Sequence, residues 1–134
     1  MRWVGLPLLA MVLIASTAGC GGEDETHFNL NGTWLVRSTT LRTDCSLRSE
    51  VSHELIVVQR GTYLDFGGYF GHFDTEIGTF SASGTAGGLN YNPSNWVHAE
   101  VVGNMTGGES FRASETWTGA CNALFEMNGE LLHR

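Results

Sequence analysis

The sequence predicts an all-β fold: a closed antiparallel up-and-down barrel of about eight strands, with a small β-sandwich as the alternative. From Leu30 onward the apolar residues never follow a helical period. Short runs rich in Val, Thr, Leu and aromatic residues are instead broken by Gly, Asn and Pro. Eighteen glycines with only two prolines suit a series of tight hairpins, in which positive φ angles recur.

Turn-forming residues separate the predicted strands, which fall within the barrel part of the chain. The strands are expected at residues 33–41, 53–60, 62–67, 76–82, 87–91, 96–103, 110–118 and 123–132. Residues 67–75 are expected to form a turn. The segment Tyr63–Phe73, which is dense in aromatic residues and glycine, either forms a lip over a cavity mouth or fills the barrel with its rings.

The N-terminus has the pattern of a secretory signal. An apolar run from Trp3 to Ala15 leads into small residues that end at Cys20. Ala18-Gly19-Cys20 resembles the lipobox of bacterial lipoproteins, although Thr17 stands where Leu is commonest. The resemblance implies cleavage before Cys20 and a lipid on that cysteine. The alternatives are an ordinary secreted protein cut near Ala18 and an uncleaved anchor helix, for which the apolar run is short.

These patterns predict a lipoprotein signal peptide (1–19), a lipidated N-terminus with a short tether (20–29) and a barrel domain (30–134). They place the protein in a bacterial envelope, anchored to a membrane by lipid and facing the periplasm or the exterior. The chain has no Lys, and its seven Arg face fourteen Asp and Glu, giving a net charge of −7. That charge disfavours nucleic acid, whereas it would suit a basic protein partner.

Only two cysteines follow Cys20, and their positions bear on the fold. In an exported chain, Cys45 and Cys121 are expected to form a disulfide, the alternatives being two free thiols or half of a metal site. Cys45 lies just after the first predicted strand and Cys121 just before the last. These two strand ends meet in a closed barrel, because its first and last strands pair antiparallel. The cysteines therefore favour the barrel over the sandwich.

The start and end of the domain resemble lipocalins. Asn31-Gly32-Thr33-Trp34 contains the Gly-x-Trp of the lipocalin signature, and Arg134 lies on the last strand. In that family the tryptophan closes one end of the barrel and a late arginine packs across it, which implies a cation–π pair of Trp34 and Arg134. With Gln59-Arg60-Gly61, residues 30–134 look like small bacterial lipoproteins with lipocalin-like barrels. The C-terminal helix of full-length lipocalins is absent from this sequence.

The resemblance and the inward aromatic residues predict a non-catalytic binding module without a cofactor. Alternation along strand 110–118 places Phe111, Glu115 and Trp117 on one face. With Phe66, these residues are predicted to contact a small apolar or amphipathic ligand. Glu115 would bind a polar group of the ligand, pair with a buried arginine, or remain hydrated at the barrel rim.

The alternatives to ligand binding are metal binding and the binding or inhibition of another protein. His72 with Asp74 and His98 with Glu100 form i, i+2 pairs that could together hold a metal, although such pairs are ordinary on the outside of a barrel, so no metal is predicted. Small acidic lipoprotein barrels with a disulfide also resemble the lysozyme inhibitors of bacterial envelopes. Ser81-Ala82-Ser83-Gly84 is similar to a loop of that family, whose remaining pattern is missing. No nucleophile elbow, paired-carboxylate motif or phosphate loop indicates an enzyme.

Overall fold

A computed structural model describes residues 27–86 and 96–134, and in this part of the chain the fold is a closed barrel. Each strand pairs antiparallel with its neighbours in sequence, and the last strand pairs with the first. The strands are β1 Gly32–Thr43, β2 Glu50–Arg60, β3 Tyr63–Phe66, β4 Tyr69–Phe73, β5 Thr79–Ala86, β6 Val97–Gly107, β7 Ser110–Gly119 and β8 Ala123–His133. Within these residues no helix is long and apolar enough to cross a membrane. The predicted eight-stranded barrel is confirmed, and the sandwich is not formed.

The seam between β1 and β8 closes the barrel. Its pairing runs from Thr33 opposite His133 to Thr43 opposite Ala123, with two register shifts along β1. Just beyond this seam, a disulfide joins Cys45 to Cys121, whose Cα atoms lie 5.4 Å apart. The predicted disulfide is therefore confirmed at the predicted place, where it covalently links the two strands that are farthest apart in sequence.

The chain between residues 62 and 86 differs from the prediction. The expected turn at 67–75 is wrong: β4 occupies most of it, Gly67 and Gly68 reverse the chain before β4 with φ angles of 62° and 102°, and a second turn begins at Asp74. Their positive φ angles allow a two-residue hairpin, so the aromatic segment forms β3 and β4 instead of a long loop. The predicted strand 76–82 begins later, as β5. The predicted strand 87–91 lies outside the described residues.

The barrel interior is packed in one half. Four rings, those of Trp34, Phe66, Phe80 and Phe111, contact one another with centroid separations of 5.1 to 5.7 Å. Each is at most 4% exposed. These rings point inward because alternate residues of a strand share a face. They form an aromatic core close to the end of the barrel at which β1 begins.

Candidate functional site

One end of the barrel is sealed by the segment that precedes β1. Leu30 is fully buried and its carbonyl oxygen accepts a hydrogen bond from Trp34 Nε1 at 2.9 Å. Its backbone N–H donates to Gln59 Oε1 at 2.7 Å. Phe28 donates its backbone N–H to Thr75 O and packs against the core. We call this end, with the aromatic core beneath it, the closed end.

Arg134 contributes to the closed end through backbone carbonyls. Its guanidinium donates to the carbonyl oxygens of Asn29 (3.0 Å), Asn31 and Gly108 (2.9 Å). The described residues include no cation–π contact between Arg134 and Trp34; the indole instead meets Phe111 edge to face. Arg134 thus ties together the segment before β1 and the β6–β7 turn, so its role in closing the barrel differs from the stacking that the family resemblance implied.

We call the opposite end of the barrel, on the side of the disulfide, the open end. It holds a cavity of about 470 Å³, the open-end cavity. Its apolar lining consists of Leu47, Val51, Tyr69, Trp117 and Phe125, and its polar lining of Ser38, Thr40, Arg48, His53 and Glu115. The volume lies within the range of small-molecule sites. Although half of the lining residues are polar, apolar atoms contribute most of the wall surface, which is the usual composition of such sites.

Glu115 is the one acidic side chain in the wall of this cavity. Its Oε2 accepts hydrogen bonds from Tyr69 Oη at 2.9 Å and from Trp117 Nε1 at 2.7 Å. Among the residues that the structure describes, no donor reaches Oε1 and no arginine pairs with this carboxylate. The half-buried Glu115 is therefore held by two neutral donors, and the arginine pairing considered from the sequence is not formed.

The aromatic partners of Glu115 are themselves fixed by packing. Trp117 meets Phe125 edge to face, with centroids 4.9 Å apart. Tyr69 lies against Gly84, where an added Cβ would be 2.8 Å from Tyr69 Cδ1. Burial, followed by the charge and the hydrogen bond of Glu115, raises the pKa of Tyr69 well above its usual range. Tyr69 therefore stays protonated and remains a hydrogen-bond donor to the carboxylate.

The four predicted ligand-contacting residues separate into two groups. Glu115 and Trp117 line the open-end cavity, whereas Phe66 and Phe111 belong to the aromatic core and do not line it. Sequence reasoning missed Tyr69, because the pattern of its segment predicts a turn where β4 forms. It also missed Phe125, although the alternation of β8 signals that this residue faces inward.

The two histidine–carboxylate pairs do not converge. His98 Nε2 lies 3.3 Å from Glu100 Oε2 on the exposed face of β6, while β5 separates them from His72 on β4. Asp74 instead accepts the backbone N–H groups of the turn that follows β4. Within the described ranges, the only group of three possible ligands is Asp44, Cys45 and Cys121, and its two cysteines are consumed by the disulfide.

Two further surface features bear on the alternatives. One is the segment Ser81-Ala82-Ser83-Gly84, which is similar to a loop of lysozyme inhibitors. It is not a loop here, since it lies inside β5 and pairs with the neighbouring strands. A larger depression, of about 1060 Å³, crosses the outside of β5 to β8 and is lined in part by Arg112 and Glu126. It lies on the outer surface of the barrel, whereas the open-end cavity enters the barrel itself.

Comparison with protein-family models, with curated proteins and with solved structures finds no match for this chain. The eight-stranded antiparallel barrel is compatible with a lipocalin-like fold. Fold alone does not determine function, so a functional conclusion depends on the cavity and the residues that line it.

Proposed function

We propose that this chain is an envelope lipoprotein whose barrel binds a small apolar or amphipathic molecule in the open-end cavity without transforming it. The observation that carries the proposal is the contrast inside the barrel. Aromatic rings fill the closed end, whereas a cavity of about 470 Å³ with a mainly apolar wall remains at the other. An eight-stranded barrel has room for its own side chains or for one small ligand.

The wall of the cavity supports an amphipathic ligand over a purely apolar one. Trp117, Phe125 and Val51 offer apolar surface to the chain of a ligand. Glu115 offers a fixed polar contact, since its donors Tyr69 and Trp117 hold it in place. A few positioned polar groups in an apolar wall orient a bound molecule.

Binding is tested with N-phenyl-1-naphthylamine, a neutral apolar dye that fluoresces when it leaves water. We expect a saturable rise in fluorescence with one site per chain. Ser38→Phe places a ring in the cavity and should weaken binding about tenfold or more, since it removes the space for the dye. Ser114→Phe makes the same change on the exposed face of β7 and serves as the matched control. No saturable signal, or equal binding by both variants, would refute the cavity as a binding site.

The envelope anchor is proposed from the sequence, because Cys20 lies outside the described residues. Its support is the signal pattern that ends in Ala18-Gly19-Cys20. Intact-mass measurement on the protein expressed in a bacterium should show loss of residues 1–19 and the added mass of a diacylglyceryl group. Cys20→Ala should abolish both, and an unlipidated wild-type chain cut near Ala18 would refute the anchor.

A further inference from the structure

The wall of the open-end cavity contains one acidic side chain, that of Glu115. Glu115 reaches the cavity from the inner face of β7, half-buried, with both of its hydrogen bonds on Oε2. A carboxylate in a partly desolvated site is stabilised further by a cation or a second set of donors. Among the described residues nothing donates to Oε1, so within this part of the chain the oxygen has room to accept from a bound molecule.

The protein supplies no buried cation to this carboxylate. Arg48, the one arginine in the cavity wall, is exposed on the loop between β1 and β2, and His53 is exposed near the start of β2. Charges in contact with water are screened over short distances. Residues 87–95, which connect β5 to β6, contain neither Lys nor Arg. Among the described residues, the carboxylate in the deeper part of the cavity therefore has no cationic partner.

Aromatic side chains adjoin the same carboxylate, and Tyr69 and Trp117 approach it with the donor groups at their ring edges. Tyr69 and Trp117 are bonded to it directly, and Phe125 packs against Trp117 at 4.9 Å. Aromatic rings attract cations through their electron-rich faces, most strongly when the cation is partly desolvated. A carboxylate beside aromatic side chains therefore suits an ammonium group better than a neutral or anionic one.

We infer that the open-end cavity selects an organic cation, an alkylammonium whose nitrogen meets Glu115 and whose chain lies against Trp117 and Phe125. This inference rests on the proposed function, since it assigns a ligand class to the same cavity. An N–H of the ammonium donates to Oε1, while the existing bonds to Oε2 keep the carboxylate in position. A fatty acid would instead bring its carboxylate toward Glu115 and be repelled.

Three probes with the same six-carbon chain separate charge from hydrophobicity: hexylammonium, 1-hexanol and hexanoate. Binding to the exported wild-type protein is measured by calorimetry at constant ionic strength. We expect hexylammonium to bind about tenfold more tightly than 1-hexanol, the size of one good charge-assisted contact in a partly desolvated site, and hexanoate to bind most weakly. This comparison needs no variant and so does not depend on any variant folding.

Glu115→Gln tests the residue itself. The amide oxygen still accepts from Tyr69 and Trp117, so the cavity is retained while the charge is lost. Hexylammonium should then bind no better than 1-hexanol. Glu126→Gln, which removes one charge from the exposed face of β8, should leave the preference for hexylammonium unchanged and controls for the overall acidity.

The outcomes distinguish this inference from the proposed function. Equal affinities for the three probes, or preference for hexanoate, would overturn the ammonium assignment while leaving the cavity as a binding site. The same holds if Glu115→Gln keeps the full preference for hexylammonium. If none of the probes binds and the neutral dye also fails to bind, the proposed function fails, and the ammonium inference fails with it.

Discussion

The two ends of this barrel are built from the same strands but filled in opposite ways. At the closed end, Phe111 contacts three other rings, and the segment before β1 covers them. At the open end, Phe125 meets only Trp117 among the aromatic rings of the described residues, and a cavity of about 470 Å³ lies beside them. One half of the barrel is therefore packed with side chains, and the other half contains the space in which we propose that a ligand binds.

The largest expected effect comes from truncating the central ring of each end. Phe111→Ala should lower the free energy of unfolding by about 4 kcal/mol, since it opens a cavity among packed rings. Phe125→Ala should cost only about 2 kcal/mol, because its surroundings are already partly empty and can relax. Urea unfolding of both variants checks the comparison. Equal losses would mean that the open end is packed as tightly as the closed end.

The open end depends on a covalent link where the closed end depends on packing. Replacing Cys45 and Cys121 together by Ala should cost about 3 kcal/mol, since the bond spans 76 residues of sequence and restricts the unfolded chain. Chemical unfolding of the double variant beside the oxidised wild type measures this loss. A thiol assay that finds both cysteines free in the native wild type would contradict the account, as would unchanged stability.

A smaller effect is expected from the arginine at the closed end. Arg134→Ala removes three hydrogen bonds to carbonyl oxygens and should destabilise the barrel by about 1 kcal/mol, a modest value because the side chain is exposed. Arg112→Ala is the matched control, since Arg112 lies on the outer face with a single long bond to Asn128. If thermal unfolding shows equal shifts for the two variants, Arg134 does not hold the closed end together.

The smallest expected effect is a pH dependence of stability that arises from Tyr69 at the open end. Because the pKa of Tyr69 is raised in the folded protein, its phenol stays protonated at a pH where an unfolded tyrosine, with a pKa of about 10, has ionised. Below the pKa of an unfolded tyrosine, Tyr69 contributes its full stabilisation to the folded state. This contribution is lost as the pH rises above that value. Phenolate absorbance should show a late-titrating tyrosine signal that disappears in Tyr69→Phe. Early titration of every tyrosine would contradict the Tyr69–Glu115 contact.

The sequence was a good guide to the barrel because its signals are local or geometric. Alternating apolar residues and glycine turns identify strands, and the positions of Cys45 and Cys121 identify the pair of strands at the seam. The error at β4 has a physical cause. Gly71 and the Gly67-Gly68 turn make the segment look like a loop, whereas the pairing of β4 with β3 and β5 keeps it extended.

The cavity could be predicted only in part. Inward alternation correctly places Glu115 and Trp117 on one face, but it assigns the same direction to Phe111, which fills the opposite half. Whether an inward ring fills space or borders it depends on the residues opposite it across the barrel. The bonds from Tyr69 and Trp117 to one carboxylate oxygen likewise depend on side-chain directions that no spacing in the sequence specifies.

The most direct test of the division between the two ends uses the indole N–H signals of Trp34 and Trp117. Each is hydrogen-bonded, one to Leu30 at the closed end and the other to Glu115 at the open end. Titration of the isotope-labelled exported protein with N-phenyl-1-naphthylamine, followed by NMR, reports on both at once, with Trp→Phe variants providing the assignments. We expect a saturable shift of the Trp117 signal and an unmoved Trp34 signal. A shift of Trp34 as large as that of Trp117, or no shift of either, would show that the ligand does not bind at the open end alone.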